Sequence, residues 1–271
     1  MRLPTRKGNP RPSRSSRHTP LRATPRKRAG FPDREPAAVC AGARRTDAPL
    51  LWTAMKIHDV KQGTAEWLAC RAGIPTASEL DSLVSPTGKI RTGETPHTYL
   101  CRKLAERWQG FPLPSFSGGV MEQGAILESE ALPYFQLTRG VAVERIGFIT
   151  TDDGSFGCSP DGLLPDGSGL EIKCPQPPNH LRWLLAGVLP PDHALQCHGG
   201  MYATGAKRWT FLSYCRGFPE FVVEVAHDPI IHDTIADALA DFGDSMDSAW
   251  KRLIIANGGA LYRANEDTHP F

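Results

Sequence analysis

Two carboxylates and a lysine stand at a spacing that can do chemistry: Asp161, then Glu171-Ile172-Lys173 ten residues further on, with Pro165-Asp166-Gly167-Ser168-Gly169 between them. That intervening stretch reads as a turn, so Gly157 to Leu164 and Leu170 to Cys174 read as the arms of a hairpin. Side chains alternate along a strand, which puts Glu171 and Lys173 on one face and turns Ile172 into the core. Pairing the arms brings Asp161 beside Glu171. Two carboxylates meeting without a basic partner for each repel one another, and a hard divalent cation relieves the repulsion. With the Ile172 carbonyl as a further oxygen donor and no histidine or thiolate at the heart of the motif, the set suits Mg²⁺, or Mn²⁺, better than zinc. Magnesium keeps several waters, one of which can be the nucleophile; Lys173 can position that water, help deprotonate it, or offset charge on a pentavalent phosphate. The sequence leaves those three roles open. It also leaves a plainer reading, because Pro-Asp-Gly is a common turn tripeptide that occurs twice (160–162 and 165–167) and Glu-x-Lys is often a solvated strand face.

The elements that must position these residues are legible in outline. Thr76-Ala77-Ser78-Glu79 has the capping-box pattern and predicts a helix to about Val84. Pro96 to Gln109 predicts a second helix with Tyr99, Leu100, Leu104 and Trp108 as its apolar stripe, and Val120 to Leu137 a third that Pro133 should kink or restart. Val141 to Thr151 alternates as a strand and Asp152-Asp153-Gly154 turns it, so with the hairpin it predicts a three-strand meander. Beyond it come helices over Leu181 to Val188 and Leu195 to Thr204, then strands over Trp209 to Tyr214 and Phe221 to Val225. A long last helix, Pro229 to Leu253, carries Ile231, Ile235, Leu239, Phe242, Met246 and Trp250 on one face.

Composition sets the frame. Residues 1–55 carry 13 Lys/Arg against 3 Asp/Glu, a balance of +10, and the other 216 residues carry 18 against 26, a balance of −8, so the near-neutral total of +2 joins a basic tail to an acidic body. Eight prolines in residues 1–50 and few periodic apolar positions leave the tail without a core to offset its ordering entropy, and it reads as disordered. An upstream extension ahead of a true start at Met55, a basic arm for nucleic acid, and an organelle transit peptide are the three readings of it. The domain boundaries expected are therefore a tail at 1–54, a globular domain at 55–253 and a C-terminal tail at 254–271. Seven scattered cysteines with no C-x-x-C pair read as reduced thiols rather than a disulfide framework or zinc knuckle. No apolar run has membrane-spanning length and no secretory signal is present, which points to a cytoplasmic protein with no membrane partner.

Five blocks in order carry a family resemblance: Trp67-Leu-Ala-Cys-Arg71-Ala-Gly-Ile-Pro-Thr-Ala-Ser78, Gly124-Ala-Ile-Leu-Glu128, Cys158-Ser159-Pro160-Asp161-Gly162-Leu163, Gly169-Leu170-Glu171-Ile172-Lys173-Cys174-Pro175 and Gln196-Cys197-His198. The stretch from Gln62 to roughly Trp250 resembles the phage lambda-type exonucleases, or YqaJ-type viral recombinases, of the PD-(D/E)xK nuclease superfamily. The resemblance implies an α/β fold with a restriction-endonuclease-like core, a central mixed β-sheet flanked by helices. It implies that Asp161, Glu171 and the Ile172 carbonyl hold metal, that helix-borne Glu128 completes the site, and that Lys173 is the catalytic lysine. A pocket for a terminal 5′-phosphate would fall on Arg71, Ser78, Ser159 and Gln196, a chemically sensible set because a guanidinium binds phosphate through paired hydrogen bonds and hydroxyls or an amide satisfy the other oxygens. His198 stands where the family commonly has a second glutamine. The acidic body requires any DNA channel to be local, with Lys89, Arg91, Arg102, Lys103, Arg107 and Arg182 as candidates.

By the same resemblance the activity is that of a Mg²⁺-dependent 5′-to-3′ exonuclease on double-stranded DNA ends, releasing mononucleotides and leaving 3′ overhangs. It would work as a homotrimer that hands the overhang to a single-strand annealing protein in phage or prophage recombination. Another PD-(D/E)xK nuclease, an endonuclease or single-strand exonuclease, could use the same metal face; a catalytically silent DNA-end-binding protein would need only the phosphate pocket.

Overall fold

The computed structural model describes residues 43–44, 55–113 and 120–258, with side chains from 55 to 113 and from 127 to 258. The tail expected at 1–54, apart from a two-residue strand, and most of that expected at 254–271 lie outside the described residues.

The Asp152-Asp153-Gly154 turn closes as expected: Thr151 and Ser155 both hydrogen-bond the Asp153 carboxylate, and Gly154 takes a positive φ of 68°. Around it a four-stranded antiparallel sheet forms in the order β1 (Ala43–Arg44), β2 (Met55–His58), β3 (Phe148–Thr151), β4 (Gly157–Cys158). The chain then leaves this sheet through Ser159-Pro160-Asp161 and starts a second one, β5 (Gly162–Leu163), β6 (Gly169–Lys173), β7 (Arg208–Ser213) and β8 (Phe221–Ala226), with β6 and β7 parallel and the other pairs antiparallel. The expected meander is therefore split between two sheets. Of the strand expected over Val141 to Thr151, only the last four residues, Phe148–Thr151, are one; Glu144 makes a single bridge to Leu163.

The helices are α1 (Ala65–Arg71), α2 (Glu94–Gln109), α3 (Val120–Arg139), α4 (Pro177–Ala186), α5 (Pro191–Thr204) and α6 (Pro229–Ala256). α3 runs through Pro133 without restarting. α6 is capped by the Asp228 carboxylate, which accepts from Ile230 N and Ile231 N, and continues three residues past the expected boundary at Leu253. Where a capping box was expected, Ala77–Ser82 is a 3₁₀ turn and Thr76 makes no side-chain cap. Its hydroxyl donates instead to Glu79 Oε2 at 3.0 Å, because Glu79 is drawn sideways to α2. α2 corrects the expected stripe: its buried residues are Tyr99, Lys103 and Glu106, while Leu100 and Leu104 are only partly covered. Cys101, Cys158, Cys174, Cys197 and Cys215 are free thiols, whereas Cys70 is disulfide-bonded, which corrects the uniformly reduced reading.

The second sheet is covered on both faces. Leu170, Ile172 and Leu212 pack beneath Ala131, Leu132 and Phe135 of α3. On the other face Trp209 and Phe211 join the main core with Leu80, Met201, Ile235 and Phe242. Glu171 belongs to that second face, opposite Phe211 in register, so it is buried and not on the solvated side that Glu-x-Lys suggests. α5 approaches so closely because it carries Gly199 and Gly200: a Cβ on Gly199 would lie 2.6 Å from Leu80, and one on Gly200 2.5 Å from the Trp209 ring. Gly200→Ala should thus cost about 1–3 kcal/mol by overpacking, read as a drop of about 2–4 °C per kcal/mol in the melting temperature.

Candidate active site

The hairpin register places Gly162 opposite Leu170, so the residues one step outward, Asp161 and Glu171, meet at the mouth of the pair. Asp161 N donates to Leu170 O at 3.0 Å, and Asp161 Oδ2 accepts from Ile172 N at 2.5 Å, which fixes the carboxylate across the strand end. Lys173 Nζ pairs with Glu171 Oε1 at 2.7 Å. Glu128, on α3, faces the same space, and a cleft of about 560 Å³ is lined by Glu128, Asp161, Ile172, Lys61, Gln62 and Arg145, among others.

The charges of this group act strongly on one another. Burial, then the charges of Glu171 and Glu128, hold Asp161 well above the usual carboxylate range against the opposing Ile172 N–H and Lys173. Burial likewise raises Glu171, eased by Lys173 and by a hydrogen bond from Gln196. Glu128 is raised by burial, with Lys173 opposing and Glu171 adding to it. Burial would lower Lys173, but its carboxylate partners, Glu171 first, more than reverse this and hold it charged. Three carboxylates thus share one lysine, with Arg145 acting on Glu128 from the rim. Among the described residues no group of three or more Asp, Glu, His or Cys is placed to hold a metal ion. The donor chemistry nevertheless fits a hard cation: oxygen donors only, in a cleft open to water, with a surplus of negative charge.

The expected phosphate-pocket residues also come together. Arg71, Ser78, Ser159 and Gln196 line one small cavity of about 20 Å³, and Glu171 forms part of its wall. Arg71 closes α1 and reaches both hydroxyls, with Nη1 to Ser159 Oγ at 2.9 Å and Nη2 to Ser78 Oγ at 3.4 Å. These are the donors a phosphate needs, each satisfied here by a neighbour. Cys158 Sγ lies against the pocket, and burial keeps it a thiol.

His198 is elsewhere. Two residues past Gln196 on a helix is about 200° of rotation, so it turns into the α5–α6 contact, 5.6 Å from the His232 ring, and takes no part in the pocket. Arg102 and Lys103, expected in a DNA channel, are tied to Glu79 and Glu106, and Lys103 is only 3% exposed. Arg107 stacks on Trp250, and Arg91 is turned back to the Asp81 carbonyl, whereas Lys89 and Arg182 are exposed.

Two supporting residues carried no sequence expectation of a role. Gln62 donates to Ile146 O at 2.9 Å and Pro160 O at 2.8 Å, tethering the chain just before Asp161. The Trp67 indole N–H reaches Gly147 O and Ser159 Oγ, and its ring lies 4.5 Å under the Arg71 guanidinium. Trp67 opens the first block of the resemblance and Gln62 the stretch that it covers, which was the available signal; a lone Gln or Trp has no periodicity to betray it.

A mixed sheet with an acidic pair and a lysine at the end of a hairpin, flanked by helices, is the restriction-endonuclease-like nuclease fold. The YqaJ-like viral recombinase domain matches residues 66–207, and the chain belongs to that family. Among solved structures it is similar to LHK-Exo in complex with dAMP, with 26% identity and a TM-score of 0.65, and to the alkaline exonuclease LHK-Exo from Laribacter hongkongensis, with 25% and 0.64; each similarity covers 72% of this chain and 98% of the other. A phage-related exonuclease from Haemophilus somnus 129PT, 14% identical with a TM-score of 0.51 over 66% of this chain and 96% of that one, shares the fold. No curated protein matches. No helix among the described residues is long and apolar enough to cross a membrane.

The crowded carboxylates make a stability prediction. Asp161 has a folded-state pKa raised above its unfolded value, so the native state binds the extra proton and loses stability as pH rises from the unfolded value, about 4, through the folded one. In chelator at pH 8, Asp161→Asn, which keeps an oxygen for Ile172 N, should melt about 2–4 °C above the unsubstituted protein. The gap should close below about pH 4, and Mg²⁺ should stabilise only the protein with Asp161. A gap independent of pH would mean that the repulsion is not there.

Proposed function

We propose that the protein is a Mg²⁺-dependent 5′-to-3′ exonuclease on double-stranded DNA, working from 5′-phosphorylated ends and leaving 3′ overhangs. The observation that carries this reading is that one strand serves two sites: Glu171 walls the Arg71 pocket while Asp161 and Ile172, its neighbours across and along the hairpin, line the carboxylate cleft. An end phosphate held in the pocket sets the bond presented to the cleft, which favours release of mononucleotides; the similar LHK-Exo structure with dAMP accords with that product.

Asp161, Glu171, Glu128 and the Ile172 carbonyl would hold the metal ion. When bound, it supplies Lewis acidity toward the phosphodiester and lowers the pKa of water. Lys173, kept protonated by Glu171, offers a charged donor to the phosphoryl oxygens, and that role is the one its pairing favours over proton abstraction. Arg71 with the two serines fixes the end, and Gln196 links the two sites through Glu171. Lys61 and Arg145, exposed at the cleft, are suited to the retained strand's phosphates. A homotrimer, the 3′ overhang's delivery to a single-strand annealing protein and a cytoplasmic setting complete the reading by family resemblance.

The test is a time course on linear duplex with one 5′-phosphate and one 5′-hydroxyl end beside a closed circle, in Mg²⁺ and in chelator. Metal-dependent mononucleotide release from the phosphorylated end, with the circle intact, is expected. A cut circle would identify an endonuclease, and no cleavage a silent end-binder. Lys173→Ala should slow turnover about 10²–10³-fold while end binding persists.

A further inference from the structure

Behind the Arg71 pocket lies a buried ionic cluster that the chemistry above does not use. Lys103 Nζ sits 2.9 Å from Glu79 Oε2 and 2.9 Å from Glu106 Oε2, and Arg102 pairs with Glu79. Tyr99 and Thr76 also donate to Glu79 Oε2, each at 3.0 Å, and Gly73 N donates to Glu106 Oε2 at 3.1 Å. Glu79 immediately follows Ser78, and Gly73 lies between Arg71 and Ser78, so both ends of the pocket loop are fastened to α2. Gly73 has φ +68° and a Cβ there would lie 2.7 Å from Arg107 Cβ, so the loop rests directly on the helix.

Charge makes the cluster more than a fastening. Two carboxylates and two cations, Arg102 and Lys103, balance to zero, which leaves the positive charge of Arg71 unspent. Glu79 and Glu106 both act on Arg71, whose guanidinium burial would otherwise destabilise. Without Lys103 the wall behind the pocket would carry a net negative charge, and Arg71 would be drawn into neutralising it.

We infer that Lys103 is a positioning residue of the 5′-phosphate pocket: by neutralising Glu79 and Glu106 it keeps Arg71 free to bind the terminal phosphate of a DNA strand. This rests on the reading of Arg71 as the end-phosphate ligand. Lys103→Met keeps the buried stem and removes the charge. It should lower the preference for 5′-phosphorylated over 5′-hydroxyl ends about tenfold, through KM and not kcat. Lys103→Arg should retain the preference. Adding Glu79→Gln to Lys103→Met removes the surplus negative charge and should restore most of it, whereas a purely structural role would make the double variant worse, since it breaks further hydrogen bonds. Thermal melting of each variant identifies any that fail to fold, and the arginine variant then carries the comparison. A preserved preference in Lys103→Met, or a double variant weaker than the single, overturns the inference alone. No end preference in the unsubstituted protein overturns the pocket reading and the inference with it.

Discussion

The fold is organised around an unfavourable contact: Asp161 and Glu171 are held together in a poorly solvated place, with Glu128 adding its charge. Left to itself a chain would separate them. What prevents it is the hairpin register, which gives neither residue freedom to slide, and the Ile172 N–H, which grips the Asp161 carboxylate at 2.5 Å. The break between the two sheets follows from the same requirement. A continuous strand through 157–163 would keep the ladder of the first sheet running through Asp161; the departure at Ser159-Pro160 lets Asp161 turn to the second sheet, and Gln62 and Trp67 hold the departing segment with two hydrogen bonds, to Pro160 O and Ser159 Oγ, while Gln62 also holds Ile146 O. Like-charge strain persists where surrounding structure over-determines it, and here the overdetermination can be traced residue by residue.

Burying Glu171 has a cost that the neighbourhood offsets in kind. Lys173 supplies an ion pair, Gln196 a hydrogen bond, and the glycines of α5 allow that helix to close over the face. Removing the glycine pair would push α5 outward and open Glu171 to water, weakening each electrostatic interaction in the site through a higher local dielectric. Packing density at Trp209 and carboxylate chemistry at Glu171 are therefore linked, although no contact between the indole and the carboxylate is needed for the argument.

Much of the site was legible because its parts are local in sequence. Turn residues, strand alternation and a ten-residue gap suffice to bring Asp161 to Glu171, and the ordered blocks suffice to gather Arg71, Ser78, Ser159 and Gln196 into one cavity. What escaped was of two kinds. The face of α2 escaped because periodicity counts apolar residues, and this helix buries Lys103 and Glu106 instead; their partner Glu79 is distant in sequence and itself resembled a capping residue. The split of the meander escaped because strand propensity is blind to which sheet a strand joins. Both failures fall beside the pocket and the cleft, where buried charge and long-range pairing override local preference.

The acidic body and the polyanionic substrate class of the family are reconciled by how positive charge is spent. A surface count treats Arg102, Lys103 and Arg71 alike, yet the first two are consumed by Glu79 and Glu106 while Arg71 makes its hydrogen bonds to neutral hydroxyls. Lys61 and Arg145 have no ion pair within 4.0 Å among the described residues, and they border the carboxylate cleft. A net charge of −8 on the body is then no obstacle. Bulk charge acts over a Debye length and is screened at about 8 Å in physiological salt, whereas a guanidinium left without a carboxylate acts at contact distance on the phosphate beside it.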